Sequence, residues 1–558
     1  MFGFIRRVLS YAAFVGAVGP AAVAGDNPAA DAHVDARFYL ATRSRPAYVE
    51  HDPRDLAVWS ALQSFYRARD YRLAWMGGGQ PSRDAEAVGR IVARAPAEGL
   101  DGLRYRLLPP APETVTLTSD WNREADADAI QDVQITYNFL KYAADLAGRF
   151  DPKAAGPFWL TRPQPRELAP WLEEALRTRR VAQAFAALAP AHPGYGALKE
   201  ALLRYRAIER EGGWPELPAR LALRRGARSP HVARLRARLA IESDFPATPA
   251  AGGSGVYDSA LAEAVKRFQR RHGLAADGVL SPATMAALNV PIGERIRQIE
   301  LNLERWRWLP RDLGRRYVIV NVPSFELTAY ENGRSALAMK VVTGKPDRPT
   351  PIFGEDMTTV VFSPYWNVPP TIAEDEIIPA VRRDPGYLRR NNLELVRGTR
   401  VVGPAALSGR GDVQIRQRPG AQNSLGLIKF VFPNPFNVYL HDTPAEALFA
   451  RPRRAFSHGC IRIEKPLAMA RWVLSGLPQW TPPAIQAAMQ GRRERQLPLP
   501  EPIPVYVAYH TVEAGDDGTV FFWPDVYGHD AAQMPFLPRG RPPSPVLPSV
   551  AAADDLRP

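Results

Sequence analysis

The sequence predicts a multidomain α+β fold, and three observations indicate it. A chain of 558 residues is long enough for about three or four domains of typical size. From residue 35 to about residue 220, apolar residues recur at three- and four-residue spacings, which is typical of helices. From about residue 315 the pattern alternates, which is typical of strands. We therefore expect a helical scaffold domain, a small three-helix module, a helical linker, a β-rich domain, a C-terminal extension and a disordered tail, at residues 35–228, 229–291, 292–314, 315–500, 501–535 and 536–558.

Residues 1–24 have the pattern of a secretory signal peptide. Arg6 and Arg7 precede an apolar run, and Ala22-Val23-Ala24 supplies the small residues that a signal peptidase recognises. We expect cleavage after Ala24 and export from the cytoplasm. The alternative is an uncleaved anchor, and membrane contact is expected only in that case.

The composition indicates the charge of the partner and the role of the single cysteine. Lys and Arg number 71 against 58 Asp and Glu, and the resulting net charge of +13 suits an acidic partner. Since the protein is expected to be exported, we do not expect nucleic acid as the partner, which leaves anionic lipid or a carboxylate-bearing wall polymer. Exported proteins normally pair their cysteines, whereas Cys460 is the only one in the chain. A lone thiol is either an inert core residue or a reactive group, and export favours the second reading.

The helical scaffold domain shows no catalytic constellation. Residues 85–100 and 136–150 have helical spacing, and Gly212-Gly213 ends a further helix. We interpret this domain as a structural or docking element.

The three-helix module is bounded by turn and cap signals. One helix ends near His272-Gly273, a turn follows at Asp277-Gly278, and a second helix opens with Ser281 as N-cap and Pro282 at its first position. This pattern closely resembles the family of peptidoglycan-binding modules. The residues that carry the resemblance are Phe268, Gln269, His272, Gly273, Leu274, Asp277, Gly278, Pro282 and Thr284. We expect most of them to form turns, caps and core, with His272 as a capping residue. An insert at residues 242–259, between the first and second helices of the module, departs from the family pattern.

The β-rich domain contains a hairpin signal and an excursion. Asn332-Gly333 lies between two strand-like runs, and this dipeptide suits a type I′ turn because both residues need positive φ. Residues 372–425 mix a helical segment with a loop-like one, and we expect them to fold over the site as a lid-like insertion.

The lone thiol lies in the sequence Ser457-His458-Gly459-Cys460, where it needs a base to become a nucleophilic thiolate. Two histidines are candidates: His458, two residues before the thiol, and His441, 19 residues before it at the end of a strand-like run. We favour His441, because a loop can return an adjacent strand beside it. A backbone carbonyl, rather than the neighbouring Asp442 carboxylate, is expected to orient its imidazole, since consecutive strand residues face opposite ways.

Two neighbours of the thiol have their own predicted tasks. Gly459 lets a substrate carbonyl approach the backbone, where N–H groups around Gly459 and Cys460 could stabilise an oxyanion. Strand alternation places Arg462 on the same face as Cys460, where its charge lowers the thiol pKa and can hold a substrate carboxylate.

The order His441, fifteen residues, then Ser457-His458-Gly459-Cys460-Ile461-Arg462 resembles the catalytic signature of the L,D-transpeptidases. The resemblance implies that Cys460 attacks the third residue of a peptidoglycan tetrapeptide stem, expels D-alanine and holds the stem as a thioester. An amine of a neighbouring stem then completes a 3-3 cross-link. It also implies a periplasmic location and, as partners, peptidoglycan stems and glycan strands and other cell-wall synthesis proteins.

The resemblance assigns roles around this pair. It makes Cys460 the nucleophile and His441 the base, with His458 and Gly459 shaping the oxyanion pocket. The substrate-binding candidates are Arg462, Ser457, Tyr439, Trp366 and Arg454. Among these, Ser457 is expected to fix the turn by hydrogen bonding. Tyr439 and Trp366 are groove or core residues, and Arg454 meets a stem carboxylate or is a solvated arginine.

Competing chemistries lack their motifs. The sequence contains no H-E-x-x-H, no C-x-x-C, no G-x-S-x-G and no phosphate-binding glycine loop, so we predict no metal and no cofactor. Three functions stay open: a cross-linking transpeptidase, the same thioester resolved by water, a free D-amino acid or a protein amine, and a non-catalytic wall-binding scaffold.

Overall fold

The computed structural model describes residues 52–77, 80–105, 123–148, 156–161, 167–245, 255–384, 386–408 and 413–537, with the single residues 37, 40 and 49. The predicted signal peptide lies outside the described residues, as does the tail from residue 538. Of the helices that the structure describes, none has the length and apolar content that a membrane span needs.

The N-terminal part is helical, as predicted. Its elements are α1 (Pro53–Ala68), a short hairpin of β1 (Met76–Gly77) and β2 (Gln80–Pro81), α2 (Arg83–Val92), α3 (Arg123–Leu146), α4 (Leu168–Arg177), α5 (Val181–Ala186) and α6 (Pro193–Arg210). One apolar core joins α1 to α5. Within it the buried carboxylate of Asp132 accepts hydrogen bonds from the backbone amides of Ala74, Trp75 and Met76, which fixes the chain entering the hairpin.

The three-helix module contains α7 (Val232–Ile241), α8 (Ser259–Arg271) and α9 (Pro282–Leu288) around its own core. Ser281 caps α9 through the amide of Thr284, as its position predicts. Gln269 donates to the carbonyl of Val279 and accepts from the amide of Gly278, so the signature residues stabilise the turn. His272 is the C-cap residue of α8, and its buried ring stacks on Phe268.

The segment predicted as a linker is a buried helix, α10 (Ile292–Trp306). It packs against α6 in a core shared by the scaffold, the β-rich domain and the C-terminal extension. The ring of Trp306 lies between the imidazoles of His192 and His510, with centroids 4.4 Å apart on each side. Helix α10 therefore connects two domains along the chain and is also part of the core that they share.

The β-rich domain is built on one nine-stranded sheet. Its strands are β3 (Arg316–Asn321), β4 (Glu326–Glu331), β5 (Arg334–Gly344), β6 (Phe353–Phe362), β11 (Ile428–Val431), β12 (Leu440–His441), β13 (Ala455–Ser457), β14 (Ile461–Ile463) and β15 (Arg495–Ala508). The order is β13-β5-β14-β12-β11-β6-β15-β3-β4, and β4 also pairs with β5, which closes a barrel. Helices α14 (Pro466–Val473) and α15 (Pro482–Met489) pack against its core.

The predicted hairpin is confirmed, and one predicted boundary is wrong. Glu331 pairs with Arg334 across Asn332 and Gly333, which both have positive φ. The boundary at residue 500 cuts through β15, which pairs with both β6 and β3 and so belongs to the barrel. Its register shifts between Pro498 and Ile503, where alternate prolines interrupt the ladder. The C-terminal extension contains the hairpin β16 (Val512–Ala514) and β17 (Val520–Phe522) and helix α16 (His529–Gln533).

The predicted excursion is a compact insertion with its own sheet and core. It contains β7 (Trp366–Asn367), α11 (Pro370–Ile372), a π-helical turn (Ala373–Ile377), α12 (Ile378–Arg383), α13 (Tyr387–Arg390), β8 (Leu393–Arg397), β9 (Arg400–Val402) and β10 (Gln414–Gln417). The strand order is β7-β10-β8-β9, and the apolar cluster beneath it is separate from the barrel core. The segment around Gln417, predicted as a loop, therefore contains a strand.

Candidate active site

Two neighbouring parallel strands bring the predicted nucleophile and base to one face of the barrel sheet. In the pairing of β12 with β14, His441 is level with Arg462 and Leu440 with Ile461. Cys460 directly precedes β14, where the amide of Ile461 bonds to the carbonyl of Tyr439 at 3.1 Å. Side chains alternate along each strand, so Tyr439, His441, Cys460 and Arg462 share one face while Leu440 and Ile461 enter the barrel core. Adjacent strands lie about 5 Å apart, so these four side chains form one compact group.

The imidazole of His441 is held by a backbone carbonyl. Its Nδ1 lies 2.6 Å from the carbonyl oxygen of Asp442, so Nδ1 carries the proton and donates it, and Nε2 is left as the basic nitrogen. The Asp442 carboxylate instead accepts from the amides of Leu427 and Thr443. Burial, and then the positive charges of Arg462 and Lys429, lower the pKa of His441 to about 3. The resting imidazole is therefore neutral.

The thiol of Cys460 is sheltered but reachable, since the residue is partly exposed. Its Sγ lies 3.8 Å from the carbonyl oxygen of Asn437. Burial raises the pKa of the thiol, while hydrogen bonding to Tyr439 and the charges of Arg462 and Lys429 act in the opposite direction. The ring of Tyr439 also stands edge-on to that of His441, with centroids 5.7 Å apart. Tyr439 thus contacts both members of the pair.

A serine-centred turn presents the cysteine. The Ser457 hydroxyl donates to the carbonyl of Cys460 at 2.5 Å and accepts from the amide of Gly459 at 3.1 Å. Gly459 has φ of +116°, a conformation that other residues rarely adopt, and its carbonyl accepts from the Thr350 hydroxyl at 2.8 Å. The predicted oxyanion role of the Gly459 amide is corrected, because Ser457 already occupies that N–H. Ser457 is itself buried, so it supports the turn and does not face a substrate.

His458 is turned toward the insertion. Its Nε2 lies 3.0 Å from the Glu376 carboxylate in the π-helical turn. The adjacent Asp375 pairs with Arg348, which precedes β6, at 2.7 Å. The predicted place of His458 in the oxyanion pocket is therefore corrected: in this structure the imidazole ties the catalytic turn to the insertion.

Three segments of the chain match models of known protein families. Residues 315–483 match a model described as the L,D-transpeptidase catalytic domain. Residues 60–202 match a scaffold domain, and residues 228–288 match a "Putative peptidoglycan binding domain". The catalytic domain belongs to the L,D-transpeptidase family. Cys460 and His441 both lie inside this matched domain.

Individual relatives share part of the chain. A Haemophilus influenzae protein named "Putative L,D-transpeptidase" is 30% identical over 240 residues, which are 42% of this chain and 48% of that protein. The chain therefore spans about half the length of this curated relative. An L,D-transpeptidase structure from Mycobacterium smegmatis is 13% identical, with a TM-score of 0.16, over 35% of this chain and 58% of that one. One from Xylanimonas cellulosilytica is 17% identical, with a TM-score of 0.16, over 52% of this chain and all of that one.

Two predicted substrate-binding residues of the L,D-transpeptidase domain have structural contacts instead. Arg454 is buried, and its guanidinium donates to backbone carbonyls of Val341, Arg451 and Phe325. It is therefore unavailable to a stem carboxylate. Trp366 lies on β7 and packs against the core of the insertion, which agrees with the core alternative of its prediction.

Lys429, the second cation of the site, was not predicted from the sequence. It lies on β11 directly opposite His441, and its ammonium is 5.5 Å from the centre of the Tyr439 ring. Burial lowers its pKa, and the charges of Glu494 and Cys460 oppose that shift. Side chains alternate along the run Ile428-Lys429-Phe430, so the lysine lies on the other face of the sheet from its two neighbours in the core. Only the strand register places it beside His441.

Proposed function

We propose that this protein is an extracytoplasmic enzyme that cross-links peptidoglycan by cysteine acyl transfer. The observation that carries the proposal is the shared sheet face on which Cys460, His441 and Arg462 meet. The matches to an L,D-transpeptidase catalytic domain and a peptidoglycan-binding domain support the substrate class and the location. Under this proposal the stem of one strand is the acyl donor and an amine on a neighbouring stem is the acceptor.

Acylation begins with two neutral groups. Because the pKa of His441 lies far below that of the thiol, the resting pair is a thiol and an imidazole rather than an ion pair. Nε2 of His441 takes the proton as sulfur attacks the third-residue carbonyl, and it then delivers that proton to the departing D-alanine nitrogen. The product is a thioester on Cys460. Tyr439 lies beside the sulfur, where its hydrogen bond can stabilise the negative charge that develops as the thiol loses its proton.

The second half-reaction decides the product. Attack on the thioester by the third-residue amine of a neighbouring stem gives a 3-3 cross-link. Water would give a carboxypeptidase, a free D-amino acid would give exchange, and a protein amine would attach that protein to the wall. The peptidoglycan-binding domain match favours reactions in which the enzyme stays on the wall, and we propose cross-linking as the principal one.

Muropeptide analysis tests this proposal. Sacculi treated with the wild-type chain should yield cross-links between two third-position residues, and Cys460→Ala should yield none. Intact mass should show a stem adduct on wild type, whereas His441→Ala should form it at least about 100-fold more slowly, as expected for loss of a general base. His441→Ala should still bind sacculi.

Three results would contradict the proposal in different ways. Trimmed tripeptides without new cross-links would establish hydrolysis. Sacculus binding without any adduct on wild-type Cys460 would establish a scaffold. Joint loss of acylation and binding in His441→Ala would contradict the assignment of binding to the three-helix module.

A further inference from the structure

Two cations flank the predicted base in a single cross-strand row. Lys429 on β11 pairs with His441 on β12, and His441 pairs with Arg462 on β14. The next residues along the row, Val361 and Val342, are buried and apolar. The row therefore presents ammonium, imidazole and guanidinium side by side between two hydrophobic walls.

Neither cation has an anionic partner in the part of the chain that the structure describes. Arg462 Nε is buried without a hydrogen bond, and no ion pair of its guanidinium is found there. The Lys429 ammonium likewise makes no hydrogen bond or ion pair among those residues and rests on the face of Tyr439. The charge of Glu494 acts on Lys429, but its carboxylate accepts from the Tyr365 amide at 2.8 Å. Two partly desolvated cations without a counter-charge are unfavourable, and a bound anion would relieve the cost.

The chemistry of the proposed reaction supplies such an anion in both directions. The departing D-alanine carries a carboxylate on the carbon that bears its amine. An incoming diaminopimelate amine or free D-amino acid has the same arrangement. Because the amine must lie at the reacting carbonyl, its carboxylate falls one carbon away, next to Cys460 and His441.

We infer that Lys429 and Arg462 form one carboxylate subsite that selects both the leaving and the entering amino acid, with Lys429 as its specificity-determining residue. This inference rests on the proposed acyl-transfer function. Burial and, after it, the two positive charges lower the pKa of His441, and a carboxylate bound there would offset the part due to the charges. Substrate binding would thus make the base more effective at the moment of attack.

The exchange step transfers the acyl group from the sulfur of Cys460 to the entering nitrogen. The entering ammonium loses one proton to solvent, and its nitrogen attacks the thioester carbonyl. A C–N bond forms and the C–S bond breaks, while the second amine proton passes through Nε2 of His441 to the sulfur. The thiol is regenerated, and no oxidant or reductant is needed.

Acceptor competition tests the inference with the full-length protein. The acyl-enzyme made from a tetrapeptide stem is offered D-methionine or D-methionine amide, and exchange products are measured by mass spectrometry. The amide has the less basic amine and is the better nucleophile at neutral pH, so any preference for the acid reports the carboxylate. We expect wild type to prefer D-methionine by about tenfold or more, the size typical of a charge-assisted hydrogen bond.

Variants assign that preference to Lys429. Lys429→Met should bring the ratio close to one by slowing the acid, and Lys429→Arg should restore most of it. Lys465→Met, at an exposed lysine bonded to the Ala338 carbonyl, is the matched control and should keep the wild-type ratio. Alkylation by neutral iodoacetamide reports the thiol separately.

The outcomes separate the hypotheses. If Lys429→Met slows both acceptors and iodoacetamide equally, Lys429 acts on the thiol and the subsite is refuted. A wild type without preference refutes it even if the variants do not fold. If wild type forms no adduct at all, the proposed function fails first.

Discussion

The same residue type takes opposite roles at two positions of the catalytic domain. Arg462 lies on the outer face of a strand and keeps a buried Nε without a partner. Arg454, which directly precedes β13, donates from its guanidinium to the backbone carbonyls of Val341 on β5 and Phe325 just before β4. The first is expected to bind a ligand, and the second to hold the structure that positions Cys460.

Arg454→Lys should reduce stability without changing substrate binding. A lysine ammonium cannot reach the several carbonyls that the planar guanidinium spans, so buried acceptors are left unpaired. We expect the free energy of unfolding to fall by about 2–3 kcal/mol in urea titrations. The KM for a tetrapeptide stem should be unchanged.

Arg453→Lys is the control for this change, because Arg453 is exposed next to it. It should alter neither quantity. A raised KM with full stability in Arg454→Lys would restore Arg454 as a substrate-binding residue.

Sequence alone predicts facing directions along a strand but not across strands. Alternation is enough to place Arg462 on the face of Cys460 and to assign the orientation of His441 to a carbonyl. The position of Lys429 beside His441 depends on which strand pairs with β12 and in which register. The sequence around Lys429 predicts neither of these. The burial of Arg454 was missed for the same reason, since its partners Val341 and Phe325 lie 113 and 129 positions away.

At the scale of elements, local turn chemistry predicted the hairpin, whereas the boundary expected at residue 500 falls inside a strand. Asn332-Gly333 determines its hairpin because both residues adopt positive φ at little cost. Strand β15 continues through a register shift at its alternate prolines and pairs on both sides. Tertiary pairing outweighs the propensity of a single segment there.

The insertion is tied to the catalytic domain by two exposed contacts, His458 with Glu376 and Arg348 with Asp375. The double change Asp375→Asn and Glu376→Gln removes both charges while leaving the core of the insertion intact. Because surface ion pairs contribute about 0.2–1 kcal/mol each, we expect iodoacetamide to modify Cys460 about two- to fivefold faster. Intact mass against time measures this rate.

Glu374→Gln is the matched control, since this exposed residue lies in the same turn. It should leave the rate unchanged. An unchanged rate in the double variant would mean that these contacts do not hold the insertion against the catalytic turn.

At the scale of the whole molecule, buried polar contacts join the scaffold to the catalytic domain. Arg307, just beyond α10, donates to the hydroxyl of Tyr195 on α6 and pairs with Glu304. Tyr195 in turn donates to Glu98 of the scaffold at 2.6 Å. The sequence predicted α10 from its periodicity, but what covers its faces follows only from the assembled fold.

This junction should make stability sensitive to acid. His192 caps α6 by accepting the Gly194 amide at Nδ1, and its ring stacks on Trp306 with Tyr317, Tyr330 and His510 nearby. Burial lowers the pKa of His192 to about 4, whereas the unfolded side chain titrates near 6.5. The unfolded state therefore binds the extra proton, and stability is lost as pH falls from about 6.5 toward 4.

His192→Asn separates this effect from the other buried histidines. Asparagine is a good N-cap and does not titrate, so the helix start is kept while the proton linkage is removed. Between pH 7.5 and pH 5, the variant should lose about 1–2 kcal/mol less unfolding free energy than wild type in urea titrations. His510, whose pKa is also lowered by burial, to about 3, remains in both proteins and supplies a common background. Equal losses in the two proteins would show that protonation of His192 does not limit the junction, and that the scaffold and the catalytic domain stay docked in acid by their apolar contacts.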